Sequence, residues 1–165
     1  MKLLIAYAGK TGGSAEMCRL LASLLARHDV TVCDLDKIDP VIGDYDYIVL
    51  GGAVRFAKLC RPGRAFLRAH ERELAAVPHT LFLTCAFADQ FQNYAEMIYP
   101  PALLESADDV VYFGGQLDPK KARGLDRLFL RFARNSVRES EDPDAALPGL
   151  LPEHVRMLAD KLRGR

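Results

Sequence analysis

The sequence predicts an α/β fold: a doubly wound parallel sheet of five strands in the order 2-1-3-4-5, with helices on both faces. Two observations carry that expectation. Strand-like and helix-like patterns alternate from end to end, as a parallel sheet with crossover helices requires. The strand-like runs are short and continuously apolar, which reads as burial on both faces. For five strands, 2-1-3-4-5 is the common doubly wound order. The 165 residues suffice for one domain with its own core. No repeat, low-complexity tract or linker divides residues 1–165, which are expected to form that single domain.

The elements follow in order. Residues 2–7 are an apolar run that ends in glycines, and they open the sheet. Residues 14–27 carry Met17, Leu20, Leu21, Leu24 and Leu25 at helical spacing. Residues 30–33 form a second strand, closed by a polar stretch and Pro40. Residues 47–50 form a third, running into Gly51-Gly52. Residues 64–75 are helical, and Pro78 stops them before the strand at 80–84. The segment 88–106 is expected to hold a helix that Pro100-Pro101 breaks or restarts. Residues 110–113 make the fifth strand, ending at Gly114-Gly115. Two more helices are expected near 125–138 and 152–162, joined by an acidic turn.

Charge and composition narrow the function. The 22 basic and 22 acidic side chains cancel, so the chain offers no overall attraction for nucleic acid. This balance also differs from the acidic one common among small electron shuttles. Cys18, Cys33, Cys60 and Cys85 include no C-x-x-C pair, which argues against a zinc site or a dithiol redox pair. Cys18 and Cys33 lie within element patterns and read as small buried hydrophobes. His28, His70, His79 and His154 are scattered and suggest no metal. The apolar start is too short for a signal peptide, and no later stretch is long enough to span a bilayer. A cytoplasmic protein is expected.

In the 2-1-3-4-5 order the chain reverses direction between strands 1 and 3, and ligands bind outside the carboxyl ends of the strands there. That points to three loops: residues 8–14, 51–58 and 84–94. The first reads Ala8-Gly9-Lys10-Thr11-Gly12-Gly13-Ser14. Its glycines allow tight turns and close backbone approach. Thr11 and Ser14 supply hydroxyls, and the helix start supplies unpaired N–H groups with positive dipole character. Together they form an anion cradle sized for a phosphate. A simple turn capped by Ser14 would account for the serine, but it needs no set of three glycines.

Two nucleotide loops can be set aside. Gly9-Lys10-Thr11 spells the end of a triphosphate-binding loop, but that motif needs a glycine where Leu4 stands. The G-x-G-x-x-G pattern cannot be laid on these residues. A phospho-acceptor receiver needs acidic residues after strand 1 and an aspartate ending strand 3. Those places hold Ala8-Gly9 and Leu50-Gly51-Gly52.

Thr11-Gly12-Gly13-Ser14 resembles the phosphate loop of flavodoxins, where a T-G-x-T/S run holds FMN. The sheet is thus expected to be flavodoxin-like. More specifically, the chain resembles the flavodoxin-domain branch that includes menaquinone-dependent protoporphyrinogen oxidase. The likeness rests on Gly51-Gly52-Ala53-Val54-Arg55-Phe56, on Phe82-Leu83-Thr84-Cys85-Ala86, and on Phe113-Gly114-Gly115-Gln116-Leu117-Asp118 leading to Leu125-Asp126-Arg127-Leu128. Order and spacing match over nearly the whole chain. Ala53 stands where that branch often has serine, Ala57-Lys58 where it often has Gly and a basic residue or histidine, and Gly9 where flavodoxins usually carry a hydroxyl.

The resemblance implies FMN as cofactor and an oxidoreductase whose chemistry lies on the flavin, with no catalytic side chain. Thr11 and Ser14 would bind phosphate oxygens, with backbone N–H groups of Lys10 through Ser14 completing the cradle. Lys10 would add charge or point to solvent. Ala53, Val54, Arg55 and Phe56 would line one side of the isoalloxazine. Arg55 would steady reduced flavin or an acidic substrate, or form a surface ion pair; Phe56 would stack on the ring or pack inward. Thr84, Cys85, Ala86 and Phe87 would approach the other side, with Cys85 a packing residue that nothing nearby activates.

Arg123, Arg127, Arg131, Arg134 and Arg138 recur every three or four residues, within an arc of about 80° at the helical period. One reading is a solvated charged face. The other is contact with an anionic partner, through Arg127, Arg131 and Arg134 above all: lipid headgroups at the inner face of the membrane, an acidic redox protein, or substrate carboxylates. Three functions remain open. The first is an FMN enzyme that oxidises a porphyrinogen or serves a quinone. The second is an electron-transfer flavodoxin without its own small-molecule substrate, and the third a flavin-free interaction module of the same fold.

Overall fold

The computed structural model describes residues 1–115 and 149–165. Within them, β1 (Lys2–Ala8), β2 (Asp29–Asp34), β3 (Tyr47–Arg55), β4 (Lys58–Leu59), β5 (His79–Thr84) and β6 (Asp109–Tyr112) make one sheet. The order is β2-β1-β3-β5-β6, all parallel, with the short β4 pairing antiparallel to the end of β3. Leaving out β4, this is the expected 2-1-3-4-5 order. The helices are α1 (Gly13–Leu24), α2 (Arg61–Ala76), α3 (Phe91–Ile98), α4 (Pro101–Ser106) and α5 (Pro152–Arg163). The expected helix at 125–138 and the turn after it lie outside the described residues.

Alternation of side chains along each strand divides the core in two. Leu3, Ile5 and Tyr7 of β1 pack with Tyr47 and Val49 of β3 and with Met17, Leu21, Leu158 and Leu162 from α1 and α5. Leu4 and Ala6 point to the opposite face, with Ile48, Leu50, Leu81 and Leu83, under Phe66, Leu67, Ala95 and Leu103 from α2, α3 and α4. Both faces are covered at the centre of the sheet, which is why β1, β3 and β5 read as continuous apolar runs. Phe82 and Phe113 stack at 4.6 Å between ring centres in the first of these layers. His79 sits between the carbonyl oxygens of Val77 (2.8 Å) and Leu103 (3.0 Å), a structural role.

Several boundaries differ from the sequence expectation. The third strand does not end at Leu50; it runs through Gly51-Gly52 to Arg55. A Cβ at Gly51 would collide with the Phe82 carbonyl oxygen, and one at Gly52 with that of Ala8. The glycines are therefore a close approach between neighbouring strands. The third helix-side boundary also moves: α2 starts at Arg61, with Pro62 in its first turn, where a missing N–H costs nothing. In turn α1 ends at Leu24 and not at Arg27. The segment 88–106 divides into α3 and α4 at Tyr99-Pro100, as the two prolines imply.

β3 and β4 are joined by a two-residue hairpin, Arg55 pairing with Lys58. Its central residues Phe56 and Ala57 both have positive φ, 50° and 57°, as a type I′ turn requires. After β6 the chain passes Gly114, which forms an antiparallel bridge to Leu150. Gly115 N–H donates to the Gly149 carbonyl at 3.0 Å, and Leu151 N–H to that of Phe113 at 3.0 Å. All four cysteines are free. No helix among the described residues is long and apolar enough to cross a membrane.

Candidate functional site at the switch point

Register places the site. Ala8 lies beside Gly52, and Ala53 beside Thr84, so β1, β3 and β5 end side by side. β1 lies between β2 and β3, and successive connections leave it in opposite directions. The loop after β1, the β3–β4 hairpin and the segment after β5 meet there, as the topology predicts.

The first loop enters α1 through Gly12, the N-cap, with φ 90°. That left-handed backbone suits glycine, and an added side chain would be strained. The capped-turn alternative named Ser14 as cap. Ser14 instead lies inside the first turn, 2 % exposed, and no side chain caps the helix. The first-turn N–H groups consequently have no side-chain acceptor. Among the described residues, no hydrogen bond is donated to protein by the backbone N–H groups of residues 10–15. The helix dipole adds positive character at the same place. Lys10 is exposed and Thr11 half-buried, and no group among the described residues bonds the Thr11 hydroxyl. Ser14 Oγ pairs with Thr84 Oγ1 at 2.8 Å, both groups buried.

Along the second loop, Ala53 is half-buried beneath Gly9; a Cβ on Gly9 would stand 3.7 Å from that of Ala53. The Val54 side chain faces the core beside Leu59 and Phe66, which leaves its backbone at the cleft. Arg55 is half-buried and Phe56 is 55 % exposed.

In the third segment Thr84, Cys85 and Ala86 are buried and Phe87 half-buried. Cys85 N–H donates to the Gly114 carbonyl at 3.0 Å, and its own carbonyl accepts from the Tyr112 hydroxyl at 2.9 Å. Burial pushes the Cys85 thiol up to about 11, with a backbone hydrogen bond of Phe87 opposing it and the negative charge of Asp89 adding to it. It is a neutral packing thiol at pH 7. The arginine row at 123–138 lies outside the described residues. No cluster of His, Cys, Asp and Glu among the described residues could hold a metal.

The structure therefore brings all three predicted loops together. It adds one partner that sequence reading did not pair, Thr84 with Ser14, across 70 positions of chain. Chemically, the arrangement offers a row of N–H donors and a hydroxyl for an anion, beside the ends of β3 and β5.

A flavodoxin-domain family model matches residues 4–144. No curated protein matches the sequence. Among solved structures, the Streptococcus pneumonia TIGR4 flavodoxin is similar over 99 % of both chains at 14 % identity, TM-score 0.56. Flavodoxin 2 of Bacillus cereus is similar over 85 % of this chain and all of its own, at 20 % identity and TM-score 0.54. The rubredoxin oxygen:oxidoreductase of Desulfovibrio gigas matches 98 % of this chain, at 13 % identity and TM-score 0.55. Only 37 % of that larger chain is involved. At these identities the likeness is one of fold.

Proposed function

The chain belongs to the flavodoxin-domain family, and from that premise we propose that it binds FMN at the loop after β1 and acts as an electron-transfer oxidoreductase. The observation that carries the reading is the row of N–H groups at residues 10–15 with no acceptor among the described residues, at the positive end of α1. Such a row fits a phosphate. When bound, FMN supplies the redox chemistry.

The chain's own residues then bind and orient. Backbone N–H groups of Lys10 through Ser14 and the Thr11 hydroxyl hold the phosphate. Ala53 and the backbone at Val54, Arg55 and Phe56 wall one side of the flavin; Cys85, Ala86 and Phe87 wall the other, while the Thr84 side chain is turned to Ser14. The Cys85 thiol stays protonated, so it offers no competing nucleophile. The net charge of zero separates this chain from acidic shuttles. It favours an enzyme that serves a quinone or a porphyrinogen over a shuttle that relies on a basic partner. A cytoplasmic site of action, at the inner face of the membrane where quinones reside, belongs to the same reading.

An absorption spectrum of the purified protein, before and after adding FMN, tests the cofactor. Flavin bands that remain through gel filtration are expected. A colourless protein that cannot be reconstituted refutes the reading and leaves a flavin-free module of the same fold. With flavin in place, protoporphyrinogen turnover with a quinone is the enzyme's signature; its absence, alongside reduction by a partner reductase, identifies a shuttle.

A further inference from the structure

We propose that Thr84 is a positioning residue that fixes the Ser14 hydroxyl toward the phosphate and so makes the site select phosphorylated flavin over riboflavin. The inference rests on the FMN reading above and concerns a residue on a different strand, β5. Ser14 Oγ and Thr84 Oγ1 are 2.8 Å apart, with the two residues 2 % and 6 % exposed.

Each hydroxyl carries one hydrogen, and their mutual bond uses one of the two. Neither hydroxyl makes a second hydrogen bond among the described residues. One buried hydroxyl hydrogen therefore has no acceptor among the described residues, and leaving it so is costly. When Thr84 donates to Ser14, the spare hydrogen belongs to Ser14, in the same helical turn as the unaccepted N–H groups. The Cα of Gly9 faces that hydroxyl: a Cβ there would lie 3.3 Å from Ser14 Oγ. Glycine thus keeps that side of the hydroxyl clear of a side chain.

An anion at the loop completes the chain of donors, Thr84 to Ser14 to phosphate oxygen. The last bond is charge-assisted and polarised by the first. Riboflavin has no phosphate to accept it. The bare pair is a β5-to-α1 tie with one hydrogen left over; the loaded pair has every hydrogen accepted.

The test titrates the full-length protein, stripped of flavin, with FMN and with riboflavin, following flavin fluorescence. Thr84→Val keeps the shape and removes the donor. FMN affinity is expected to fall about tenfold, or about 1.4 kcal/mol, with riboflavin affinity unchanged and Thr84→Ser restoring FMN binding. Thr84→Ala repeats the comparison should valine disturb the fold. An equal loss for both flavins would make Thr84 a structural tie only, and an unchanged FMN affinity would overturn the proposal. A wild-type chain that binds neither flavin would refute the cofactor reading itself, a result distinct from either.

Discussion

Replacing Ala57 by glycine should stabilise the protein, against the usual direction of such a change. Ala57 is held at φ 57° in the β3–β4 hairpin, where a Cβ is crowded by backbone. Left-handed backbone costs a non-glycine residue roughly 1–2 kcal/mol. Glycine recovers that amount but loses about 0.5–1 kcal/mol to its greater freedom when unfolded. The net gain is about 0.5–1 kcal/mol. At a urea slope of about 2 kcal/mol/M, the midpoint should rise by roughly 0.3–0.5 M with the slope unchanged. Ala65 provides the control: it is exposed within α2, where the same substitution should cost about 1 kcal/mol. Urea unfolding of both variants at one fixed FMN concentration reads the difference in sign. A loss at Ala57 comparable with that at Ala65 would refute the strained-turn argument.

Other outcomes follow from the same geometry. Gly52→Ala pushes a methyl into the Ala8 carbonyl between two central strands, so a loss of about 3 kcal/mol or more, or failure to fold, is expected. Gly43→Ala, with no atom within 4 Å of the added carbon, should stay within about 0.5 kcal/mol by the same urea assay. Burial raises the thiols of Cys18, Cys33 and Cys85, the last from 9.0 to about 11. Above pH 9 the unfolded chain loses these protons first, so it binds fewer than the folded chain and stability falls as pH rises. For Cys85 the slope approaches about 1.4 kcal/mol per pH unit within that window, and Cys85→Ala should make the urea midpoint fall less steeply between pH 9 and 11. Finally, replacing Arg127, Arg131 and Arg134 together by Gln should weaken binding to anionic vesicles without changing flavin content. Unchanged sedimentation with the vesicles would reduce the arginine row to a solvated face.

The centre of the sheet was legible because β1, β3 and β5 are buried on both sides. A run such as Leu3-Leu4-Ile5-Ala6-Tyr7 announces itself without any knowledge of its neighbours. Gly51-Gly52 misled for the converse reason. Glycine is a common terminator, and only the neighbouring carbonyls, distant in sequence, reveal that these two lie inside a strand. The hairpin was missed because Phe56-Ala57 carries neither Asn-Gly nor Asp-Gly, the residues that normally signal such a turn. The helix expected from residue 64 starts three residues earlier, because Pro62 fits its first turn. At the site, topology and the glycine-rich loop were enough to gather three segments. The Ser14–Thr84 pair was not legible, since a bond across 70 positions leaves no local pattern. Val54 was named for the cleft with its neighbours, yet strand alternation turns its side chain into the core.

The bridge between Gly114 and Leu150 bears on how such a protein can diversify. The chain leaves the sheet and returns to it at one point, beside the Cys85 carbonyl at the end of β5. An insertion rooted there need not reroute α5 or disturb strand order. Doubling the length of a flexible loop costs only about 0.6 kcal/mol of closure entropy. Whole segments between Gly114 and Leu150 can thus be exchanged, by evolution or by an engineer, while the sheet keeps its register. New substrate preferences could arise there by grafting, with the phosphate loop left as it is.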